Sequence, residues 1–192
     1  YLAAYITCFA DDRATEAFPQ NAVTTQSGSV WIDSSGHAYI DPYSDMAREY
    51  LCDIIDSCAR AGFDMVILDG LAFPTSGSLS QAIYSSEDTP ENRQAVIAKI
   101  LSEIKATADS HSIAVSVVLD DPLSDGTVSG QYIEKLAPYC HTLFCRGSVG
   151  DMSFASISQA LAQSSCLPGC ISGGAFDTQE GDISFIGEYL KP

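Results

Sequence analysis

Basic side chains are scarce in this sequence: nine Lys and Arg stand against 25 Asp and Glu, leaving a formal charge of −16. A surface of that sign repels a polyphosphate backbone, so nucleic acid is excluded as a partner. The same excess suits a neutral ligand, or a cationic one such as a partly deacetylated amino sugar, and it equally serves solubility. Long apolar runs are missing too. None approaches the roughly eighteen residues that a membrane helix needs, and no charged-then-apolar leader precedes Tyr1, so no membrane span is expected. There is no Walker loop and no dinucleotide fingerprint, and the short SGG at Ser172 to Gly174 is too little to cradle a phosphate. The three histidines, His37, His111 and His141, are dispersed without a paired metal spacing or a neighbouring nucleophile motif. No cofactor or metal is therefore called for.

What is present is a core. Apolar residues make up 46% of 192, enough for one domain spanning residues 1–192. Seven cysteines are an odd number in a chain too large to need staples, and they read as small buried hydrophobes. A rival reading takes Cys140, Cys145, Cys166 and Cys170 as a four-thiolate zinc site, with pairs wider than the usual gap.

The run YLAAYITCF predicts a buried first strand closed by Asp11 and Asp12. A long Ser-, Gly- and Asp-rich loop over residues 19 to 43 follows, with a small hairpin from Val30 to Ile40. Loops of that length in a compact domain are usually functional. Ser44 caps a helix whose Ala47, Tyr50, Leu51, Ile54, Ile55 and Cys58 recur at three- and four-residue steps until Gly62. MVILDG is then a strand buried on both faces, as in a parallel sheet. After a second long loop, Thr89 caps a helix opened by Pro90 and striped by Val96, Ile97, Ile100, Leu101 and Ile104. IAVSVVLD is the third strand. A helix over residues 130–137, a strand over 141–145, a helix over 154–163, a strand over 169–175 and a short helix near 183–190 complete the pattern. Five strands alternating with five helices give an α/β fold, a parallel sheet covered by helices, either a barrel or an open doubly wound sheet.

In either architecture the strand-to-helix loops gather at the carboxyl ends of the strands. Asp69 closes the second strand there and Asp120 and Asp121 close the third, whereas Asp64 precedes its strand and belongs to the other end. Adjacent parallel strands lie ~4.8 Å apart, so carboxylates sharing a face at their ends approach to about 5 Å. That is the spacing of a retaining glycosidase pair, one carboxylate attacking and the other moving a proton. Period two puts Asp69 on the face of Met65 and Ile67, and Asp120 on the face of Ser116 and Val118; a slip in the third strand would substitute Asp121. Asp69 and Asp120 are thus the catalytic candidates. Asp11, Asp41 and Asp121 are candidates to bind substrate, and Trp31, Tyr39 and Tyr43 are candidates to stack on sugar rings. Each of these acids could instead cap a helix, and the aromatics could pack the loop on itself.

The stretch IDPYSDMAREYLCDIIDSCARAGFDMVILDGLAFP, residues 40 to 74, resembles the bacterial family described as "Putative glycosyl hydrolase domain", a TIM-barrel family of unknown function related to the alpha-amylase-like hydrolases. GFD at Gly62 to Asp64, the strand-end Asp69, and Phe73 with Pro74 match its GFDEIQFDYVRFP pattern. AYITCFADDRATEAFPQNAV, SGSVWIDSSGHAYIDPY and SGQYIEKLAPYCHTLF extend the likeness over most of the chain. The resemblance implies a (β/α) barrel lacking its first strands, a polysaccharide or cell-envelope glycan as substrate, and an extracellular or cell-surface location. A partial barrel leaves a sheet edge that self-association would cover. The chain departs from the family at Gly70 and Ala72, where an aromatic and an Arg are expected. It departs again at Val118, in place of an acid, and at LFCRGS, in place of PMVYPS. Only Asp69 carries over; Asp120 as its partner rests on period two. A glycoside hydrolase is the first reading, and a catalytically degenerate carbohydrate-binding or scaffold module is the alternative.

Overall fold

The structure, a computed structural model, describes residues 1–148, 150–172 and 175–178. Among the described residues six strands follow chain order across one sheet: β1 (Ala3–Thr7), β2 (Met65–Asp69), β3 (Ala114–Leu119), β4 (Thr142–Arg146), β5 (Leu167–Ser172) and β6 (Ala175–Thr178). The pairings from β1 to β5 are all parallel. A doubly wound sheet reverses its order at a switch point, whereas an unbroken order is that of a (β/α) barrel. The fold is accordingly a partial barrel of the TIM type. Its last strand departs from the rule, since β6 returns antiparallel on β5.

Five α-helices are described: α1 (Asp12–Ala17), α2 (Asp45–Arg60), α3 (Pro90–Ser110), α4 (Ile133–Leu136) and α5 (Met152–Ala160). The two long ones form where their caps and stripes place them. Ser44 Oγ accepts from Ala47 N–H at 3.1 Å, and Ala47, Leu51 and Ile55 are the buried stripe of α2. Gly62, at φ +88°, supplies the left-handed residue just past its end. In α3, Thr89 Oγ1 accepts from Asn92 N–H at 3.2 Å, Pro90 stands at the start, and Ile97, Ile100, Leu101, Ile104 and Ala108 are buried.

These stripes explain why the strands are apolar without alternation. One face of the sheet, with Val66, Leu68, Val115, Val117 and Leu119, packs beneath α2 and α3 in the main core. The other face holds a smaller cluster of Met65, Ile67, Val118 and Phe144, flanked by Ala3, Ala114 and Ile171. That second face is the barrel interior, and it carries the candidate acids. Among the described residues no helix is long and apolar enough to cross a membrane.

Several boundaries differ from expectation, each for a local reason. The helix expected over residues 130–137 contracts to α4 and a 3-10 turn, Ala137–Tyr139, with Pro138 in its first turn. The strand expected over 169–175 begins at Leu167 and ends at Ser172. Helix α1, absent from the sequence reading, starts on Asp11, whose Oδ1 accepts from Ala14 N–H at 2.9 Å. The helix expected near residues 183–190 lies outside the described residues. All seven cysteines are free, five of them buried. Cys145 and Cys170 pair across β4 and β5 within the main core, and burial pushes the Cys145 and Cys166 thiols up to about 11. Thiols so raised are inert at neutral pH. Among the described residues no three His, Cys, Asp or Glu side chains are grouped to hold a metal ion, so the zinc reading finds no converging ligand set.

Candidate active site

The interior face ends in a cluster of polar side chains because period two carries each strand's interior row one step beyond its apolar part. On β2, Met65 and Ile67 lead to Asp69; on β4, Thr142 and Phe144 lead to Arg146; on β1, Ala3 leads to Tyr5. Asp69 receives both neighbours. Tyr5 O–H donates to its Oδ2 at 2.5 Å, and Arg146 Nη2 donates to its Oδ1 at 2.5 Å. Since β3 lies between β2 and β4, Arg146 reaches across the end of β3 to make this bond. The Asp69 side chain is 16% exposed and that of Arg146 is 54% exposed.

Asp120 follows the last residue of β3 on the same face as Ser116 and Val118, beneath the reach of Arg146. Its carboxyl is pushed up to about 6, first by the protein crowded around it and then by the charge of Asp69, while Arg146 pulls it down. Asp120 keeps an exposed surface all the same, so water still reaches this residue. An acid that titrates near neutrality beside a second carboxylate is what proton transfer to a leaving group requires. Tyr5 has its hydroxyl raised by burial and by the bond to Asp69. Arg146 is held more firmly protonated than usual: burial opposes its charge, and the bond to Asp69 outweighs that.

The other expected residues take different places. Asp11 caps α1 with one oxygen and accepts from Tyr50 O–H at 2.8 Å with the other. Trp31 is 2% exposed and gives its indole N–H to Ser78 O at 3.1 Å, so its ring packs the long loop and offers no face to a ligand. Asp41, 3% exposed, accepts from Tyr43 N–H at 2.9 Å and Ser85 N–H at 2.6 Å, tying two loops together. Tyr43 donates to Asp88 at 3.2 Å and packs on Phe73. Asp121 is exposed, and its carbonyl accepts from Ser124 N–H at 3.2 Å. Tyr39 is the loop aromatic that the fold brings to the acids. The hairpin expected from Val30 to Ile40 forms through the Ile32 and Ala38 bridge, and Tyr39 pairs with Ala10 just beyond β1. Burial and the charges of Asp33, Asp120 and Asp69 raise its hydroxyl to about 12.

Sequence reasoning missed Tyr5 and Arg146. Alternation in TLFCR, read from Thr142 through Phe144, was the signal available for Arg146. Tyr5 was hidden in a run that read as uniformly apolar.

Residues 1–144 match the profile of the family described as "Putative glycosyl hydrolase domain", and the chain belongs to that family. Solved structures agree on the fold. A hypothetical protein of Ruminiclostridium thermocellum ATCC 27405 superposes with a TM-score of 0.51 at 21% identity, over 61% of this chain and 57% of that one. Aspergillus fumigatus Ega3, solved in complex with galactosamine, gives 0.59 at 11% identity over 88% of this chain and 59% of its own. The alpha-galactosidase TtGalA of Thermus thermophilus, solved with p-nitrophenyl alpha-D-galactopyranoside, gives 0.50 at 13% identity over 83% of this chain and 30% of its own. The chain thus spans less than two thirds of the length of each. No curated protein matches it.

Proposed function

We propose that this chain carries the reacting carboxylates of a glycoside hydrolase acting on a polysaccharide or cell-envelope glycan outside the cell or at its surface. The observation that carries the reading is the placement of two acids of unlike character at the carboxyl ends of adjacent strands. Asp69 is gripped by a cation and a phenol, and Asp120 is pushed up to about 6. Unlike environments divide the labour between acid and nucleophile.

In the first half-reaction Asp120 gives its proton to the glycosidic oxygen as the bond from that oxygen to the anomeric carbon breaks, and an Asp69 oxygen bonds to that carbon. In the second, water attacks the same carbon, Asp120 takes the proton from the water, and the Asp69 ester bond breaks. The β2 to β3 register ends at Leu68 and Val117, which sets Asp69 level with Val118 and Asp120 two residues beyond it, so the retaining course requires the two side chains to lean together across that offset. Tyr39 lies within electrostatic reach of both acids and is the aromatic best placed to face a sugar.

The experiment is turnover of a panel of p-nitrophenyl glycosides and cell-wall glycans by the wild type, Asp69→Asn and Asp120→Asn. Loss of turnover to background in Asp69→Asn, with the circular dichroism of the wild type, is expected; undiminished turnover refutes the proposal. Asp120→Asn is expected to lower kcat by roughly 10²–10⁴-fold, the usual weight of a positioned acid. One observation favours a non-catalytic carbohydrate-binding module as the second reading: both oxygens of Asp69 are already engaged. Glycan binding without hydrolysis by any member of the panel would decide for it.

A further inference from the structure

The end of β3 lacks the strand that should pair with it, and a side chain has taken that strand's place. Even-numbered residues of β3 turn their backbone toward β2, as Ala114 N–H does in donating to Asp64 O at 3.0 Å. Odd-numbered ones turn toward β4, where His141 N–H donates to Val115 O at 2.7 Å. The β2 to β3 register ends at Leu68 and Val117. There β2 veers off at Gly70, φ +63°, whose carbonyl accepts from Phe9 N–H at 3.4 Å on the β1 side. The carbonyl of Val118 and the N–H of Asp120 would be left unpaired.

Gln131 satisfies both. Its Nε2 donates to Val118 O at 3.1 Å and its Oε1 accepts from Asp120 N–H at 2.8 Å. These are the two bonds, flanking Leu119, that one backbone residue of a parallel neighbour would make. The second Nε2 proton goes to Leu71 O at 3.3 Å, on the segment just beyond Asp69. One amide group therefore ties the end of β3 to the exit of β2. All three partners dictate the same orientation of the amide, since Asp120 N–H can only donate and the two carbonyls can only accept.

The amide is itself held in place. Gln131 is 3% exposed, and its N–H donates to Ser129 Oγ at 3.1 Å. Ser129 O accepts from Phe73 N–H at 2.8 Å. Gly130 sits at φ +77°, where a Cβ would stand 2.9 Å from Ile97 Cγ1 and 3.0 Å from Arg93 O. Residues 129–131 are thus wedged between α3 and the β2 exit, which explains why a glycine precedes the glutamine.

We propose that Gln131 is the positioning residue of the site, its side-chain amide fixing the backbone of Asp120 so that this carboxyl stays on the interior face beside Asp69. The proposal rests on reading Asp69 and Asp120 as the reacting pair. Asp69 from β2, Arg146 from β4, Tyr39 from the long loop and the Cys8 thiol beyond β1 are the titratable or charged groups facing Asp120. None of them holds its backbone, which separates the role of Gln131 from theirs.

The test is nuclear magnetic resonance on the full chain, which needs no substrate. In the wild type the Asp120 amide proton, bonded to Gln131 Oε1 at 2.8 Å, is expected to exchange slowly. In Gln131→Met it is expected to exchange about tenfold faster, the weight of one net hydrogen bond, with Val117 unchanged. The Asp120 carboxyl carbon then titrates lower than in the wild type, because the group drifts toward water and away from Asp69. Gln131→Glu, protonated where it faces two carbonyls, keeps an acceptor for Asp120 N–H and one O–H donor for Val118 O, so protection survives there even if the Met variant does not fold. An unprotected Asp120 amide in the wild type, loss of its protection in a folded Gln131→Glu, or unaltered exchange and titration in a folded Gln131→Met would each overturn the proposal. In turnover, kcat falls while KM holds. If wild type turns nothing over, the functional reading fails and the amide result still stands. If turnover needs Asp120 and ignores Gln131, only the positioning role fails.

Discussion

Replacing Asp69 by Asn removes one charge and almost no volume, so its effect on Asp120 measures how near the two carboxyls stand. Asp120 titrates at about 6 in the folded chain, with burial as the larger cause and the charge of Asp69 as the next. Two unit charges about 5.5 Å apart, the separation a retaining pair needs, screened by an effective dielectric between roughly 40 and 80 where Asp120 meets water, interact by ~0.8–1.5 kcal/mol. That interaction moves a pKa by ~0.5–1 unit. Asp69→Asn is therefore expected to lower the Asp120 midpoint to about 5–5.5, with burial keeping it above the ~3.9 of a free aspartate. Arg146, released from its ion pair, remains nearby and adds to the fall. The assay is the pH titration of the Asp120 carboxyl carbon in both proteins at low ionic strength. An unmoved midpoint would refute the reasoning, since it would mean that the two acids do not share a site.

The same pair predicts two more results, and the packing of the interior face predicts a third. Asp120 has a folded pKa above its unfolded value, so the native state binds the extra proton between about pH 4 and 6, and stability falls as pH rises through that window. Asp120→Asn should accordingly raise Tm relative to the wild type at pH 7 and leave it nearly unchanged at pH 4; equal Tm differences at both pH values would contradict the sign. Arg146→Met removes the one cause that lowers Asp120, so the Asp120 midpoint should rise above about 6 in the same carbon titration; a fall would place Arg146 elsewhere. Gly169 lies against the interior cluster, where a Cβ would stand 2.5 Å from Phe144 Cδ1. Gly169→Ala should therefore destabilise by ~1–3 kcal/mol in urea unfolding, and an unchanged midpoint would mean that the interior face is not packed as described.

Features of the site written into one strand or one helix were legible in the sequence. Asp69 could be placed from Met65 and Ile67, and Asp120 from Ser116 and Val118, because a pleated strand keeps its parity whatever surrounds it. Ser44 and Thr89 could be read as caps for the same reason. What escaped depends on contacts between distant segments. The indole bond of Trp31 to Ser78 spans 47 residues, and the bond of Asp41 to Ser85 spans 44, so no local rule could tell a ring or acid that ties loops from one that meets a ligand. Helix α1 is six residues long, too short for a period to show. Gln131 falls at the start of the helix expected over residues 130–137, while its side chain completes the pairing of a strand.

The departures from the family pattern fall together rather than at random. Where the family pattern expects an acid in the third strand this chain has Val118, which packs with Met65, Ile67 and Phe144, and the next acid on that face is Asp120, two residues further out. A shift of two preserves the face and carries the carboxyl past the end of the regular pairing, where the backbone must be held by some other group. Gln131 supplies that hold, and the Arg that the family pattern expects at Ala72 is absent there while Arg146 arrives from β4. The site thus has Asp69 and Asp120 offset by one arginine, and protonating Asp120 brings those three groups to neutrality. Between the partners of the ion pair, Asp69 is 16% exposed and Arg146 is 54% exposed. The arginine is the member with room to move, so the ion pair does not by itself close Asp69 to an incoming sugar, and the engaged oxygens leave the hydrolytic reading intact.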